Sequence, residues 1–398
     1  MTVFYVSKAG NDSNDGTFGS PKLTIANAVG VADDTEGDIV EIIDSGQYNE
    51  GDISIFKAIT VRATGSNKPI MDGDSSNNDY AFVSYVSGSV FLGLIMKNYD
   101  DGLINGGITA GKDYILSGCM GHFLLGPTPI GGGGTAIVQD CRIVSEGRST
   151  FNIGADGHVW FNNSVIATNA VGYHTIDANA SYVNVTASFC TLVGSGHNNS
   201  SGRDGYLVNG VRKLINCIVS GSGDGINAYD STYNLVHVSN NPFIKWDTSG
   251  SYDGTPRSPN AGEITGNPLF QSGSQPGTAD PAVGGNVDFD TQWFKLTTGS
   301  PAAGTATSYE SITVDISGTT RSTPPSMGAY GSEDPDWSSH FETPGRRYDA
   351  ALTDRRYEKS LGEYEYRYSD PNRQIPFQLN IRGAPSLRRR KTPYSSSI

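Results

Sequence analysis

The repeat of this chain is clearest in TAIVQDCRIVSEG, residues 135–147. Two short apolar runs flank Asp140 and Cys141, and a glycine closes the unit. The chain contains six such units, which align on Leu94, Cys119, Cys141, Ser164, Cys190 and Cys217. The steps between these positions are 25, 22, 23, 26 and 27 residues. Short apolar runs and turns at such a period, with almost no helical pattern, are typical of a parallel β-helix.

Neighbouring coils of such a solenoid lie about 4.7–4.9 Å apart, so equivalent side chains stack in rows. Cysteine is small and readily buried, and we interpret the four cysteines as part of one interior row rather than as zinc ligands or a redox pair. Asp140, Asn163 and Asn216 each precede an aligned position, which predicts a polar row at a bend of the chain. A β-sandwich is the alternative architecture, and the uneven steps and missing hairpin turns argue against it.

Composition agrees with many short strands. The chain has 398 residues, of which 50 are glycine and only 17% are charged. No apolar run approaches the roughly 20 residues of a membrane helix. The first residues, MTVFYVSK, lack the basic region and apolar core of a secretory signal, so we expect a protein made in the cytoplasm without membrane association.

The charge is divided unevenly along the chain. There are 28 Lys or Arg against 41 Asp or Glu, a net charge of −13. Residues 332–398 hold 12 basic and 10 acidic residues, which leaves 16 basic and 31 acidic residues in the body, 1–331. Such an acidic body argues against nucleic acid as a partner.

The N-terminal stretch AGNDSNDGTFGSP, residues 9–21, has the oxygen-rich composition of a calcium loop. The EF-hand spacing fails, because the position that requires a bidentate glutamate is Lys22. We therefore predict no metal here, and a turn that leads from a first strand, VFYVS, into a short helix over residues 24–32. Thr24 is the expected N-cap, with Ile25, Ala28 and Val29 on the buried face, and the helix would close the open end of the solenoid.

The start of the chain, FYVSKAGNDSNDGTFGSPKLTIANAV, resembles the opening of right-handed parallel β-helix proteins of the pectin-lyase-like superfamily. GNPLF at 266–270, WFKLTTGSPAAG at 293–304 and DISGTTRSTPPSMGAYG at 315–331 resemble the closing coils of that superfamily. The resemblance implies an all-β, right-handed parallel β-helix. The two matches enclose residues 1–331, which we divide into an N-terminal cap with the first coils (1–79) and the parallel β-helix with its closing coils (80–331). The remaining residues form an extended C-terminal arm (332–398). The resemblance does not imply one activity, because this fold hosts lyases, hydrolases, phage tailspikes and structural proteins.

The residues give little support for catalysis. NTD, GHG and RIK motifs of the galacturonan hydrolases of this fold are absent. The remaining candidates are Asp204 and Asp224, 20 residues apart and thus close to one coil, with Arg203 nearby. Carboxylates on adjacent coils can approach the ~5 Å separation of a retaining glycosidase. Asp-Gly is also the ordinary turn pair of such a chain, and we favour that interpretation. We expect no cofactor.

The C-terminal arm is rich in tyrosine and arginine, the residues that protein interfaces favour. Its candidate partner-binding residues are Trp337, Phe341, Tyr348, Tyr357, Tyr364, Tyr366, Tyr368, Arg388, Arg389, Arg390, Lys391 and Tyr394. Since the arm buries too little apolar surface to fold alone, we expect it to become ordered on a partner.

Members of the pectin-lyase-like superfamily that lack a signal peptide are frequent in tailed bacteriophages. We therefore expect a non-catalytic virion structural protein, such as a head decoration, neck or tail appendage, whose arm docks on other virion proteins. The position of the arm departs from tailspikes, which usually attach by an N-terminal domain. The alternatives are a carbohydrate-active β-helix enzyme and a glycan-binding adhesin. Host surface glycans and further copies of the chain are additional candidate partners.

Overall fold

A computed structural model describes residues 1–33, 37–65, 67–73, 79–105, 112–123, 128–130, 134–145, 150–153, 157–168, 175–178, 184–194, 206–221, 224–238, 243–244, 256–270, 294–297, 299–309, 312–331, 363–364 and 381–382. The chain divides into two compact units, Met1–Gly345 and Arg346–Ile398.

The described residues of the first unit form one helix, α1 (Ile25–Val31), and many short strands. In chain order the strands are β1 (Val3–Val6), β2 (Ile39–Ile42), β3 (Gln47–Tyr48), β4 (Ile53–Ile55), β5 (Thr60–Ala63), β6 (Ile70–Asp72), β7 (Tyr80–Ser84), β8 (Ser89–Leu92), β9 (Ile95–Tyr99), β10 (Gly102–Asn105), β11 (Tyr114–Ser117), β12 (Met120–Phe123), β13 (Thr128–Ile130), β14 (Thr135–Gln139), β15 (Arg142–Ser145), β16 (Phe151–Ile153), β17 (His158–Asn162), β18 (Val165–Thr168), β19 (Ile176–Asp177), β20 (Asn184–Ser188), β21 (Thr191–Gly194), β22 (Tyr206–Ile215), β23 (Ile218–Gly221), β24 (Asp224–Thr232), β25 (Leu235–Val238), β26 (Phe243–Ile244) and β27 (Ile264–Thr265).

These strands form the three sides of a right-handed parallel β-helix, as the repeat predicts. Sheet 1 follows β1, β2, β5, β8, β11, β14, β17 and β20 into the second half of β22. Sheet 2 follows β3, β6, β9, β12, β15, β18, β21, β23, β25 and β27. The third side holds the three-stranded sheet 3 (β4, β7 and β10) and, further along, β13, β16 and β19, which join the first half of β22. Neighbouring strands of these sheets pair in parallel, which excludes the β-sandwich.

The bend between sheets 1 and 2 explains the repeat. From β5 onward, each coil turns there through one residue with left-handed backbone, such as Asp140 (φ 53°), Asn163 (φ 50°) and Asn216 (φ 57°). Asn and Asp adopt this conformation more readily than other non-glycine residues. The predicted polar row is present in part: Asn163 Nδ2 donates to Asp140 Oδ1 at 2.6 Å, whereas Phe189 (φ 50°) occupies this position in the coil between Asn163 and Asn216.

The next residue of each coil points into the core. Leu94, Cys119, Cys141, Ser164, Cys190 and Cys217 are all fully buried, which confirms the predicted interior row. The side chains also bond between coils. Ser164 Oγ accepts the Cys141 N–H at 3.1 Å, and Cys217 Sγ accepts the Cys190 N–H at 3.4 Å. Burial raises the pKa of the Cys141 and Cys217 thiols, so both stay protonated at neutral pH.

The N-terminal stretch forms the predicted turn and capping helix. Asp12 Oδ1 accepts the N–H groups of Leu23 and Thr24 at 3.0 and 2.9 Å, which holds the turn against the start of α1. Thr24 Oγ1 accepts the Asn27 N–H at 3.2 Å and is the N-cap. Ile25, Ala28 and Val29 are the buried face of α1, as predicted.

Residues 294–331, which we call the strap, do not lengthen the two long sheets in their described part. Their strand contacts are isolated antiparallel bridges, Phe270↔Leu296 and Val314↔Thr320. The strap packs on the outer face of sheet 2 instead. Met327 and Ala302 bury against Ile218 and Leu235 there.

In the second unit the described residues form one antiparallel pair, β28 (Glu363–Tyr364) and β29 (Ile381–Arg382). No helix in the described part of the chain is long and apolar enough to cross a bilayer.

Candidate functional site

The sequence candidates for catalysis are only partly described. Asp224 is the first residue of β24 and pairs with Tyr206, so this coil advances by 18 residues. The expected step of 20 residues from Asp204 does not match this pairing. The residue level with Asp224 is Tyr206, which follows Asp204 by two residues. Asp204 and Arg203 lie outside the described residues.

Among the candidate partner-binding residues, Tyr364 belongs to β28. The others lie outside the described residues: Trp337, Phe341, Tyr348, Tyr357, Tyr366, Tyr368, Arg388, Arg389, Arg390, Lys391 and Tyr394. Their interface role stays a prediction. In the described part of the chain, no group of three or more His, Cys, Asp or Glu side chains is placed to hold a metal ion.

Several carboxylates of the first coils hold the fold together. Glu50 accepts hydrogen bonds from the N–H groups of Ile25 and Ala26 at 3.0 and 2.8 Å. These N–H groups belong to the first turn of α1 and have no partner within the helix. Burial nevertheless raises the pKa of Glu50, because desolvation outweighs these two hydrogen bonds. This cap comes from a different coil, and the sequence gives no local signal for it.

Asp44 fixes the turn that follows β2. Desolvation by burial opposes the ionisation of Asp44. Hydrogen bonds to its carboxylate outweigh this effect and lower the pKa of Asp44; the donors are the N–H groups of Gly46 and Lys8 and the hydroxyls of Ser7 and Tyr48. The Lys8 N–H lies 2.7 Å from Asp44 Oδ2. These contacts join two coils at a corner of the solenoid.

The strap is fastened by a buried arginine. Arg321 Nη2 donates to Asn163 Oδ1 at 2.7 Å and to the Gly328 carbonyl at 2.9 Å, and Nη1 donates to the Ser326 carbonyl at 3.1 Å. Its guanidinium carbon lies 4.2 Å from the centre of the Phe189 ring. Burial lowers the pKa of Arg321 to about 10, which still leaves it charged at neutral pH.

Two further contacts extend the attachment of the strap along the solenoid. Asn216 binds the Thr307 backbone twice, donating to its carbonyl at 2.7 Å and accepting its N–H at 3.0 Å. Arg142 Nε donates to the Tyr330 hydroxyl at 2.7 Å. The polar row therefore has a function that the sequence did not reveal: it attaches the strap.

An aromatic side chain marks the outer face of sheet 1. Trp160 lies between the fully buried Val159 and Phe161 and is itself only half-buried, so it points outward. Its strand neighbours in sheet 1 are Ile137 and Thr186. This mixture of apolar and polar groups is a candidate contact surface.

Sheet 3 carries a second exposed surface, which we call the acid–aromatic face. At one end, Asp52 and Asp79 are exposed before β4 and β7. At the other end, Phe56 and Tyr85 follow the same strands, 64% and 51% exposed. Their rings stack with centroids 4.7 Å apart and planes within 7°. The outer surface between the two ends carries half-buried Ser54, Tyr80, Val83 and Asn105.

Hydrogen bonds hold the acidic end in place. Asp52 Oδ1 accepts the Tyr80 N–H at 3.1 Å. The Tyr80 hydroxyl lies 3.4 Å from Asp101 Oδ2, which brings a third carboxylate, before β10, to the same end. Burial, followed by the charge of Asp101, raises the pKa of Tyr80, so the phenol stays protonated. Neither end was found from the sequence, because only the pairing of β4 with β7 makes these residues neighbours.

No family model matches the chain, and no curated protein matches it. Among solved structures, pectate lyase Pel9A shares 15% identity and a TM-score of 0.42 over 83% of this chain and 96% of that chain. A rhamnogalacturonan lyase shares 16% identity and a TM-score of 0.27 over 68% of this chain and 64% of that chain. At these values the assignment of a parallel β-helix rests on the strand pairing of the chain itself.

Proposed function

We propose that this protein is a non-catalytic structural component of a bacteriophage particle. Residues 332–398 dock on other virion proteins, and the β-helix projects as a rigid body. The division of the chain into Met1–Gly345 and Arg346–Ile398 is consistent with a body and an attachment segment.

The observation that carries the proposal is the use of charged side chains in the described body. Glu50 caps a helix, Asp44 fixes a corner and Arg321 fastens the strap. Glu263 is 6% exposed and receives Arg257 Nη1 at 2.6 Å. A catalytic carboxylate instead keeps an oxygen available to substrate. These groups stabilise a rigid projecting body.

Co-sedimentation from the native source tests the proposal. The full-length chain and a variant ending at Gly331 are traced by mass spectrometry into the large-particle fraction. We expect only the full-length chain to enter the particle. A full-length chain that stays free would contradict the structural role.

A carbohydrate-binding or carbohydrate-active protein is the second candidate. Trp160 favours it, because an outward indole beside polar side chains offers both an apolar platform and hydrogen bonds. Incubation of the intact protein with a glycan panel separates these functions. We expect no cleavage. Cleavage that is lost in Asp224→Asn would replace the structural proposal with an enzymatic one, and binding without cleavage that is lost in Trp160→Ala would indicate an adhesin.

A further inference from the structure

The acid–aromatic face has two ends with different chemistry. The exposed carboxylates of Asp52 and Asp79 lie at one end, and the stacked rings of Phe56 and Tyr85 lie at the other. Carboxylates pair with guanidinium and ammonium groups, and exposed aromatic rings pack against other aromatic rings and cations. A polypeptide that suits both ends therefore carries cations at one end and an aromatic ring at the other.

The distance between the two ends sets the length of that polypeptide. Along β7, Tyr85 follows Asp79 by six residues. At about 3.3 Å per residue Asp79 lies about 20 Å from the aromatic stack, and Asp52, which precedes Phe56 by four residues on the paired strand, lies about 13 Å from it. An extended ligand thus needs about six residues between its first cation and its aromatic ring.

The chain contains a segment with this spacing. RRRKTPY, residues 388–394, begins with four consecutive cations, and Tyr394 follows Arg388 by six residues. Proline at 393 disfavours a helix and favours an extended backbone for the residue before it. The charges are complementary too, since the body holds 31 acidic against 16 basic residues.

We infer that the acid–aromatic face of one molecule binds residues 388–394 of a second copy. The cations lie against Asp52 and Asp79, and Tyr394 packs on the stack of Phe56 and Tyr85. The inference rests on the proposed function, because it names a neighbouring copy as a partner of the C-terminal arm. Since the arm and the face are different surfaces, the contact is head-to-tail and builds a ring or a row of copies.

Sedimentation equilibrium of the full-length chain at low and high salt tests the inference. We expect self-association that weakens as salt screens the charges. The double variant Phe56→Ala, Tyr85→Ala should weaken association by at least about tenfold, the loss of a typical interface hot spot. The matched control is Phe18→Ala, which removes an aromatic ring that is 69% exposed elsewhere on the body. Equal association of the double variant and the control would overturn the inference.

Charge reversal tests the pairing of the two surfaces. Asp79→Arg alone, and Arg388→Glu with Arg390→Glu, should each weaken association about tenfold or more. Mixing the two variants should restore it, because reversed charges then face each other. A full-length chain that is monomeric at all concentrations, or a mixture that fails to associate, contradicts the inference.

A labelled peptide of residues 384–398 gives an independent measurement. Its fluorescence anisotropy should rise on addition of the full-length Arg388→Glu, Arg390→Glu variant, whose face is intact, and should not rise when that variant also carries Phe56→Ala and Tyr85→Ala. Failure here is distinguishable from failure of the proposed function. If the chain enters the particle but does not self-associate, the structural role stands and the contact with a second copy is wrong. If the chain self-associates but does not enter the particle, the contact stands and the structural role is wrong.

Discussion

Arg321 and Asn163 lie 158 residues apart in the sequence, and their side chains meet at 2.7 Å on the flank of the solenoid. The same guanidinium donates to four carbonyl groups of the strap, those of Val314, Ser326, Gly328 and Ala329, so one side chain organises the strap and joins it to the coils. Without Arg321, four buried acceptors would lose a donor, and each such loss is costly.

We therefore predict that Arg321→Ala lowers the free energy of unfolding by about 3 kcal/mol or more. Urea unfolding followed by circular dichroism measures this. Arg212→Ala is the matched control, since Arg212 is exposed on β22 and should change stability by less than about 0.5 kcal/mol. Equal losses in the two variants would show that Arg321 does not hold the strap.

Gly10 tests the turn before α1. A Cβ atom at Gly10 would lie 2.3 Å from the Lys22 carbonyl oxygen, a backbone atom that cannot move aside. Gly10→Ala should cost about 2 kcal/mol or more, because the turn must open. Gly19→Ala is the matched control, because its Cβ would meet nothing within 4 Å. Similar melting temperatures for the two variants would contradict the close approach.

The carboxylates Glu50 and Asp44 predict opposite pH dependences. The pKa of Glu50 is raised above 4.5, so its contribution to stability is present below pH 4.5 and is lost as pH rises through the raised value. The pKa of Asp44 is lowered from 3.8, so its contribution is present above pH 3.8 and is lost as pH falls through the lowered value. Thermal unfolding from pH 2 to pH 7 should therefore show Glu50→Gln flattening the curve above about pH 4.5 and Asp44→Asn flattening it below about pH 4. A change in the same window for both variants would be inconsistent with these environments.

The four cysteines predict a cooperative thiol response. Because all are buried, a water-soluble thiol reagent should label none of them in the native protein and should label all four in denaturant. The labelling midpoint should coincide with the midpoint of unfolding. Rapid labelling of any thiol under native conditions would remove that residue from the interior row.

The repeat predicts the fold because each rung of the solenoid has the same local requirement. A residue that tolerates left-handed backbone precedes a small or apolar residue, as at Asp140 and Cys141. The capping helix is predictable for a similar reason, since Thr24 and its turn lie close together in the sequence.

The attachment of the strap could not be predicted in this way. Its hydrogen bonds join residues separated by 91 and 188 positions, as for Asn216 with Thr307 and Arg142 with Tyr330. The resemblance to the pectin-lyase-like superfamily placed the strap residues in closing coils. The sequence period describes the coils alone and does not predict which segment packs on the outer face of a sheet. The acid–aromatic face is hidden for a related reason: Phe56 and Tyr85 become neighbours only through the pairing of two coils.

The strap also limits how such a chain can change in length over evolution. Coils before Arg142 contact mainly their neighbours, so one of them can be duplicated or lost as a unit. Between Arg142 and Leu235 the same event would displace the attachment points by about 4.8 Å per coil. Tyr330 and Thr307 would then no longer reach Arg142 and Asn216 together. Natural variation in coil number should accumulate on the N-terminal side of Arg142, with the strapped coils kept at constant number.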